Sequence, residues 1–196
     1  MIARSIRLLV VCCACLACLL GCAARPPVAQ LPPGPLALRG SDGAIHDVAS
    51  LVQRQRFTVF VFYSEACPCV SAHEQRLAEL HRQYRDRGIA LLMVNSEIGA
   101  NPNADAREAA RRRYPFLLLT DPQARLATAL GAEFATHAVV VDPQGTIRYS
   151  GAIDSDKIRL KPDATPYLRN ALDDLLAART PRAPAHEPLG CSLRLR

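Results

Sequence analysis

The chain has 196 residues, is 49% hydrophobic but only 5% aromatic, and carries a formal charge of +6. That is the size of one domain with appendages, apolar enough to bury a core built on Leu, Val, Ile and Ala. Its positive charge is almost all arginine, dispersed, with no basic run interleaved with aromatics. Nucleic-acid binding is therefore not expected.

The first residues stand apart from that core. MIARSIR carries Arg4 and Arg7, and the run from Leu8 to Leu20 is apolar and uncharged. It is shorter than the roughly 20 residues that span a bilayer and fits the charged and apolar regions of a secretory signal. It closes on Leu19-Leu20-Gly21-Cys22, which resembles a bacterial lipobox, the Cys becoming the lipidated first residue of the mature protein. The resemblance implies a signal peptide over 1–21, lipidation at Cys22, export to the cell envelope and a periplasm-facing lipoprotein. Ala23 resembles the residue that sorts lipoproteins to the outer membrane. Residues 22–35, rich in Pro and Ala, read as an extended tether.

Export changes the cysteine arithmetic. Cys12, Cys13, Cys15 and Cys18 leave with the signal and Cys22 is blocked by lipid, so Cys67, Cys69 and Cys191 remain in a compartment where disulfides persist. Three is an odd number, so at least one thiol is free, cycling or bound to something else. Loss of Arg4 and Arg7 lowers the formal charge to about +4.

The domain is expected over 36–180. LALRGSDGAIHDVASL places short apolar stretches around the turn signal Ser41-Asp42-Gly43, which predicts a hairpin. FTVFVFY (57–63) is the pattern of a strand buried on both faces. Pro68 suits the first turn of a helix, and Val70, His73, Leu77, Leu80 and Tyr84 continue it at helical spacing to Gly88. IALLMVN (89–95) predicts a second buried strand. Next come a helix over 105–113, a strand over 116–120 and a short helix over 122–130. HAVVV (137–141), the turn at 142–145 and TIRYSG (146–151) form a second hairpin, and an amphipathic helix covers 163–178. The tail, 181–196, is Pro-rich and expected to be irregular. Buried strands alternating with helices predict an α/β fold, a mixed central sheet with helices on both faces and a β-hairpin at its N-terminal end.

Cys67 falls where the first long helix begins. A thiol there meets unpaired backbone N–H groups and the positive end of the helix dipole, and both favour the nucleophilic thiolate. Cys69 faces Cys67 only if Cys67 is still outside the helix, because residues i and i+2 of a helix point apart. If the sulfurs meet, the small ring is an easily reduced disulfide; if not, Cys69 packs inward or serves another partner. His73 lies on the apolar helix face, where a satisfied core histidine is the ordinary outcome.

VFVFYSEACPC followed by an amphipathic helix resembles the active-site region of the thioredoxin-like superfamily. IALLMVN, YPFLLLTDPQARLATALGA and HAVVVDPQGTIRYSGAID follow in the matching order. That second half resembles the exported redoxin and peroxiredoxin-related (AhpC/TSA-like) branch, and EPLGCSLRLR resembles a C-terminal Gly-Cys element of one such group. The resemblance covers about Leu36 to Arg196. The chain departs from thioredoxin in having one residue between its cysteines and no proline in Ala135-Thr136-His137, the loop that in the fold faces the thiols. It departs from peroxiredoxins in having Phe60 where an upstream Pro stands, although Ser64 fits their next position.

The resemblance implies three alternatives. In the first, a lipid-anchored thiol–disulfide oxidoreductase uses Cys67 as nucleophile and Cys69, or Cys191, as the resolving thiol. No cofactor is needed, the partners are a disulfide substrate and a thiol electron donor, and Pro68, Thr136 and His137 line the substrate side. In the second, Cys67 attacks a peroxide through a sulfenic acid. In the third, Cys67, Cys69 and His137 hold copper as Cu(I), two soft thiolates with an imidazole.

Overall fold

The computed structural model describes residues 30–32 and 34–195. The expected signal peptide, the lipidation site Cys22 and most of the tether lie outside the described residues. The end of the tether already docks: Gln30 bridges Thr146 and the Leu31 N–H donates to Gly145 O at 2.9 Å.

Strands β1 (Ala37–Gly40) and β2 (Ile45–Asp47) form the expected antiparallel hairpin. A helix that the hydrophobic pattern did not predict, α1 (Val48–Gln53), follows directly. The Asp47 carboxylate caps it by accepting from the Ser50 N–H, and it buries only Val48 and Val52. Strand β3 (Phe57–Tyr63) is buried along nearly its whole length. It runs parallel to β4 (Ile89–Asn95) and antiparallel to β6 (Ala138–Val141), which is why no polar side alternates through it. Helix α2 (Pro68–Tyr84) joins β3 to β4 through a short 3₁₀ turn that ends on left-handed Gly88.

Helix α3 (Pro102–Arg112) starts earlier than the expected 105, because the Asn101 side chain accepts from the N–H groups of Asn103 and Ala104. Strand β5 (Leu118–Thr120) and helix α4 (Arg125–Leu130) are shorter than their apolar patterns, and Pro122 lies in a turn rather than in the helix. Strand β7 (Ile147–Gly151) completes the hairpin with β6. Helix α5 (Tyr167–Leu176) is tied to α2 by Tyr84, whose hydroxyl donates to Asp173 at 2.8 Å. The sheet order is β2-β1-β5-β4-β3-β6-β7, a mixed sheet with β3 near its centre. The chain end of β3, where Cys67 follows, therefore opens at the C-terminal edge of the parallel pair, the place where α/β sheets put their chemistry.

Candidate active site

The site is built at the turn from β3 into α2. Ser64, buried, accepts from the Cys67 N–H at 3.2 Å and closes the turn, while Glu65 and Ala66 stay exposed. Cys67 is the N-cap residue of α2, with extended backbone (φ −84°, ψ 114°), and Pro68 occupies the first helical turn as expected. Cys67 thus remains outside the helix, which lets its sulfur and that of Cys69 approach. Both thiols are buried, at 2% and 0% exposure.

The nearest partner of Cys67 is not Cys69. Cys67 Sγ and Cys191 Sγ lie 2.8 Å apart, in hydrogen-bond contact across 124 positions of sequence. All three Sγ atoms lie within 4.8 Å of one another. Cys191, the second of the two candidate partners, is thus the thiol in contact with Cys67, and Cys69 is the third member of the cluster.

The tail makes this possible: it has no helix or strand, as expected, yet it is held to the domain by isolated bridges and backbone hydrogen bonds. Its first anchor is the β7 edge, where Ser150 N donates to Pro184 O and His186 N to Ser150 O. The His186 ring stacks on Tyr167 with centroids 3.7 Å apart. The tail then crosses to the loop before β6 and pairs antiparallel through Phe134 and Ser192. Ala135 N donates to Cys191 O and Leu193 N to Glu133 O, both at 2.8 Å. Ile98 N donates to Arg194 O at 2.7 Å. Gly190 is required here by close approach: a Cβ on it would lie 1.7 Å from Ala135 O. The receiving loop is itself held in a costly conformation, because Thr136, β-branched, has φ +66°. Its hydroxyl lies 2.6 Å from Ala135 O and 3.0 Å from Leu189 O, and its N–H donates to Phe62 O at 2.8 Å.

The three thiols differ electrostatically. Burial alone would push the Cys67 thiol up, but the hydrogen bond from Cys191 and the backbone N–H groups of Val70, Cys191 and Cys69 outweigh it and lower its pKa below the ordinary thiol value. Cys191 is pushed up to about 12, first because its proton is committed to Cys67 and then by burial. Cys69 is also raised, mainly by burial and then by its contact with Cys67. Cys67 is thus made more acidic than an ordinary thiol, while Cys69 and Cys191 are held more firmly protonated.

The two histidines sit in different surroundings, and His73 is the one that matches its expectation. His137 does not face the thiols: its Nε2 pairs with Ser150 Oγ at 2.8 Å, and it is not among the donors that cluster with the sulfurs. Burial lowers it to about 4, so the ring is neutral at physiological pH, and its Nδ1 has no protein partner. The copper set Cys67, Cys69 and His137 is corrected on this point. His73 is the satisfied core histidine, linking the Cys69 carbonyl (2.8 Å) to Asp154 (3.2 Å). Asp154 in turn accepts from Arg76 at 2.6 Å, and Arg76 reaches Asp156 and Lys161 O. This buried network fixes the first turns of α2, and the spacing of its residues in the sequence gave no sign of it.

Two clefts flank the region. One, about 390 Å³, is bordered by Glu65, Ala66, Asn95, Glu97, Asp105 and Arg194 and abuts the turn that carries Cys67. The other, about 220 Å³, lies over Arg76, Asp154 and Lys161 and includes none of the cysteines.

An acidified thiol at a helix start, just after an interior strand of a mixed α/β sheet and in contact with a second thiol, defines a thioredoxin-like, thiol-based redox protein. The chain belongs to the AhpC/TSA family, whose model matches residues 30–150. Among solved structures, it is 26% identical to an uncharacterized conserved protein from Geobacillus kaustophilus, covering 87% of this chain and 93% of that one, with TM-score 0.77. A hypothetical protein from Sinorhizobium meliloti 1021 is 21% identical over 88% of this chain and 97% of that one, with TM-score 0.76. Peroxiredoxin Q from Xanthomonas campestris shares the fold at 16% identity, 77% and 94% coverage and TM-score 0.55. No curated protein matches the chain.

Proposed function

We propose that this protein is a thiol–disulfide oxidoreductase in which Cys67 is the nucleophile and Cys191 the resolving thiol. The observation that carries the reading is the 2.8 Å contact between the two sulfurs, held by a tail paired to the loop before β6. The Cys67 thiolate attacks one sulfur of a substrate disulfide, forms a mixed disulfide and expels the other sulfur as thiolate. Cys191 then loses its proton and attacks Cys67 Sγ, which closes the Cys67–Cys191 disulfide and releases the second substrate thiolate. A thiol donor restores both. The sulfurs carry the electrons, so no cofactor enters.

The proton arrangement supports this order of events. Cys191 is held as thiol chiefly by its hydrogen bond to Cys67. Once Cys67 is consumed in the mixed disulfide, that acceptor and its charge are gone, and Cys191 ionises more easily. In this reading the protein is an exported, periplasm-facing lipoprotein anchored through Cys22, and the Pro-rich tether carries the domain away from the membrane.

A second reading rests on the burial of Cys67, 2% exposed. A peroxide reaches it with less rearrangement than a protein disulfide. Attack on the peroxide leaves an alcohol or water and a Cys67 sulfenic acid, and Cys191 condenses with it, releasing water.

The test is equilibration in glutathione buffers followed by alkylation and mass mapping. A reversible Cys67–Cys191 disulfide between about −120 and −270 mV is expected. Cys191→Ser accumulates the mixed disulfide, and full turnover in Cys67→Ser sinks the proposal. Consumption of hydrogen peroxide with a dithiol donor, without exchange on a model disulfide, selects the second reading.

A further inference from the structure

We infer that the reduced cluster of Cys67, Cys69 and Cys191 is a three-thiolate site for a single cuprous ion, with the tail supplying the third ligand. The inference goes beyond redox turnover and does not depend on it. The three sulfurs lie within 4.8 Å of one another. A metal at about 2.3 Å from three sulfurs in a trigonal plane sets them about 4 Å apart. The cluster is therefore close to ligating geometry before any ion enters. The one contact that must open is Cys67–Cys191, from 2.8 Å by roughly 1 Å. Cys191 is the less buried of the two and stands on the tail, so it is the sulfur with room to move.

The donor set chooses the ion. Soft thiolates select Cu(I). Structural zinc takes four ligands, and catalytic zinc keeps a water in the fourth position. Among the described residues, no fourth Cys, His, Asp or Glu joins the cluster. Cys67 and Cys69 are 2% and 0% exposed, which leaves little space for a metal-bound water. Binding releases the thiol protons, and the N-terminal N–H groups of α2 face the negative charge that remains. Cys69 thereby gains a use that the two-cysteine redox cycle does not give it. His137 stays outside, bonded to Ser150.

The experiment is an oxygen-free titration of the reduced protein with Cu(I) against bicinchoninate, read by loss of the coloured competitor complex. One ion per chain is expected, with a first shell of three sulfurs by copper X-ray absorption. Losing a direct ligand exceeds the roughly 10–100-fold cost of losing an outer partner, so Cys191→Ser and Cys69→Ser each weaken binding by more than about 100-fold. Cys69→Ala gives the same loss if the buried serine disturbs folding. His137→Ala leaves the affinity unchanged. Affinity no better than that of glutathione at equal thiol concentration overturns the inference. So does unchanged affinity in both Cys69 variants, a nitrogen in the first shell, or tighter binding of Zn(II) in the same competition. A protein that cycles disulfides but ignores copper sinks this inference alone; one that binds copper but cycles nothing sinks the redox proposal alone.

Discussion

Gly190→Ala isolates the contribution of the tail from that of the thiols. The new Cβ would stand 1.7 Å from Ala135 O, a backbone atom that cannot swing aside. The tail must retreat by more than about 1 Å before ordinary contact is restored. That retreat breaks the bonds from Ala135 N to Cys191 O and from Leu193 N to Glu133 O, and strains the Thr136–Leu189 contact. At about 1 kcal/mol net per hydrogen bond, the docked tail loses about 2–3 kcal/mol, which lowers its docking equilibrium constant by roughly 30–150-fold. In the proposed cycle, resolution by Cys191 slows by up to that factor, since it acts only when docked. The assay is a single turnover with a small disulfide, quenched by alkylation and read by mass. Wild type passes directly to the Cys67–Cys191 disulfide, whereas the variant accumulates Cys67 mixed disulfide. The Cys67 alkylation profile also moves to higher pH, because the hydrogen bond from Cys191 is lost. An unchanged resolving rate together with an unchanged profile would refute the role assigned to the tail.

The other predictions concern the supports of the site. Cys67 reacts with iodoacetamide at a pH below that of an ordinary thiol, and in Cys191→Ser the profile shifts upward; a profile that stays put removes the hydrogen bond as a cause. His137, held to about 4 by burial, refuses a proton that the unfolded chain takes up near 6.5, so stability falls as pH drops from 6.5 to 4. The slope reaches about 1.4 kcal/mol per pH unit; urea titrations should show it flattened in His137→Gln, and equal slopes would contradict it. Asp154→Ala leaves His73 and Arg76 without their buried acceptor and costs about 3 kcal/mol in chemical denaturation. A loss below about 0.5 kcal/mol would show that the network is not a support.

The strands and helices that carry the site were legible because their apolar patterns are local. FTVFVFY reads as a doubly buried strand because β3 is flanked by β4 and β6, and Pro68 marks the start of α2 because its ring suits a first turn. Helix α1 was not legible: with Val48 and Val52 as its only buried residues, it has too few apolar positions to show a period. The docking of the tail was not legible for a different reason. Its prolines and lack of periodicity describe its local conformation correctly, but its order comes from bonds to Ser150, Glu133 and Ala135, distant in sequence. Gly190 carries no local signal either, since its need is set by Ala135 on another segment.

The same distinction explains why Cys69 looked like the partner of Cys67. Nearness in sequence favours the pair with one intervening residue, but entry into α2 turns Cys69 inward, where it is fully buried. Cys191 arrives from a distant segment, along the pairing of the tail with the loop before β6. In the proposed cycle a thiol so placed is held by the tail pairing beside Cys67, within reach of the mixed disulfide it must attack. Its high pKa belongs to the resting state alone, because the group chiefly responsible, Cys67, is the one the substrate consumes. In the proposed cycle, Cys191 is thus freed to ionise when Cys67 enters the mixed disulfide, and its pairing to the loop before β6 keeps it within reach of Cys67.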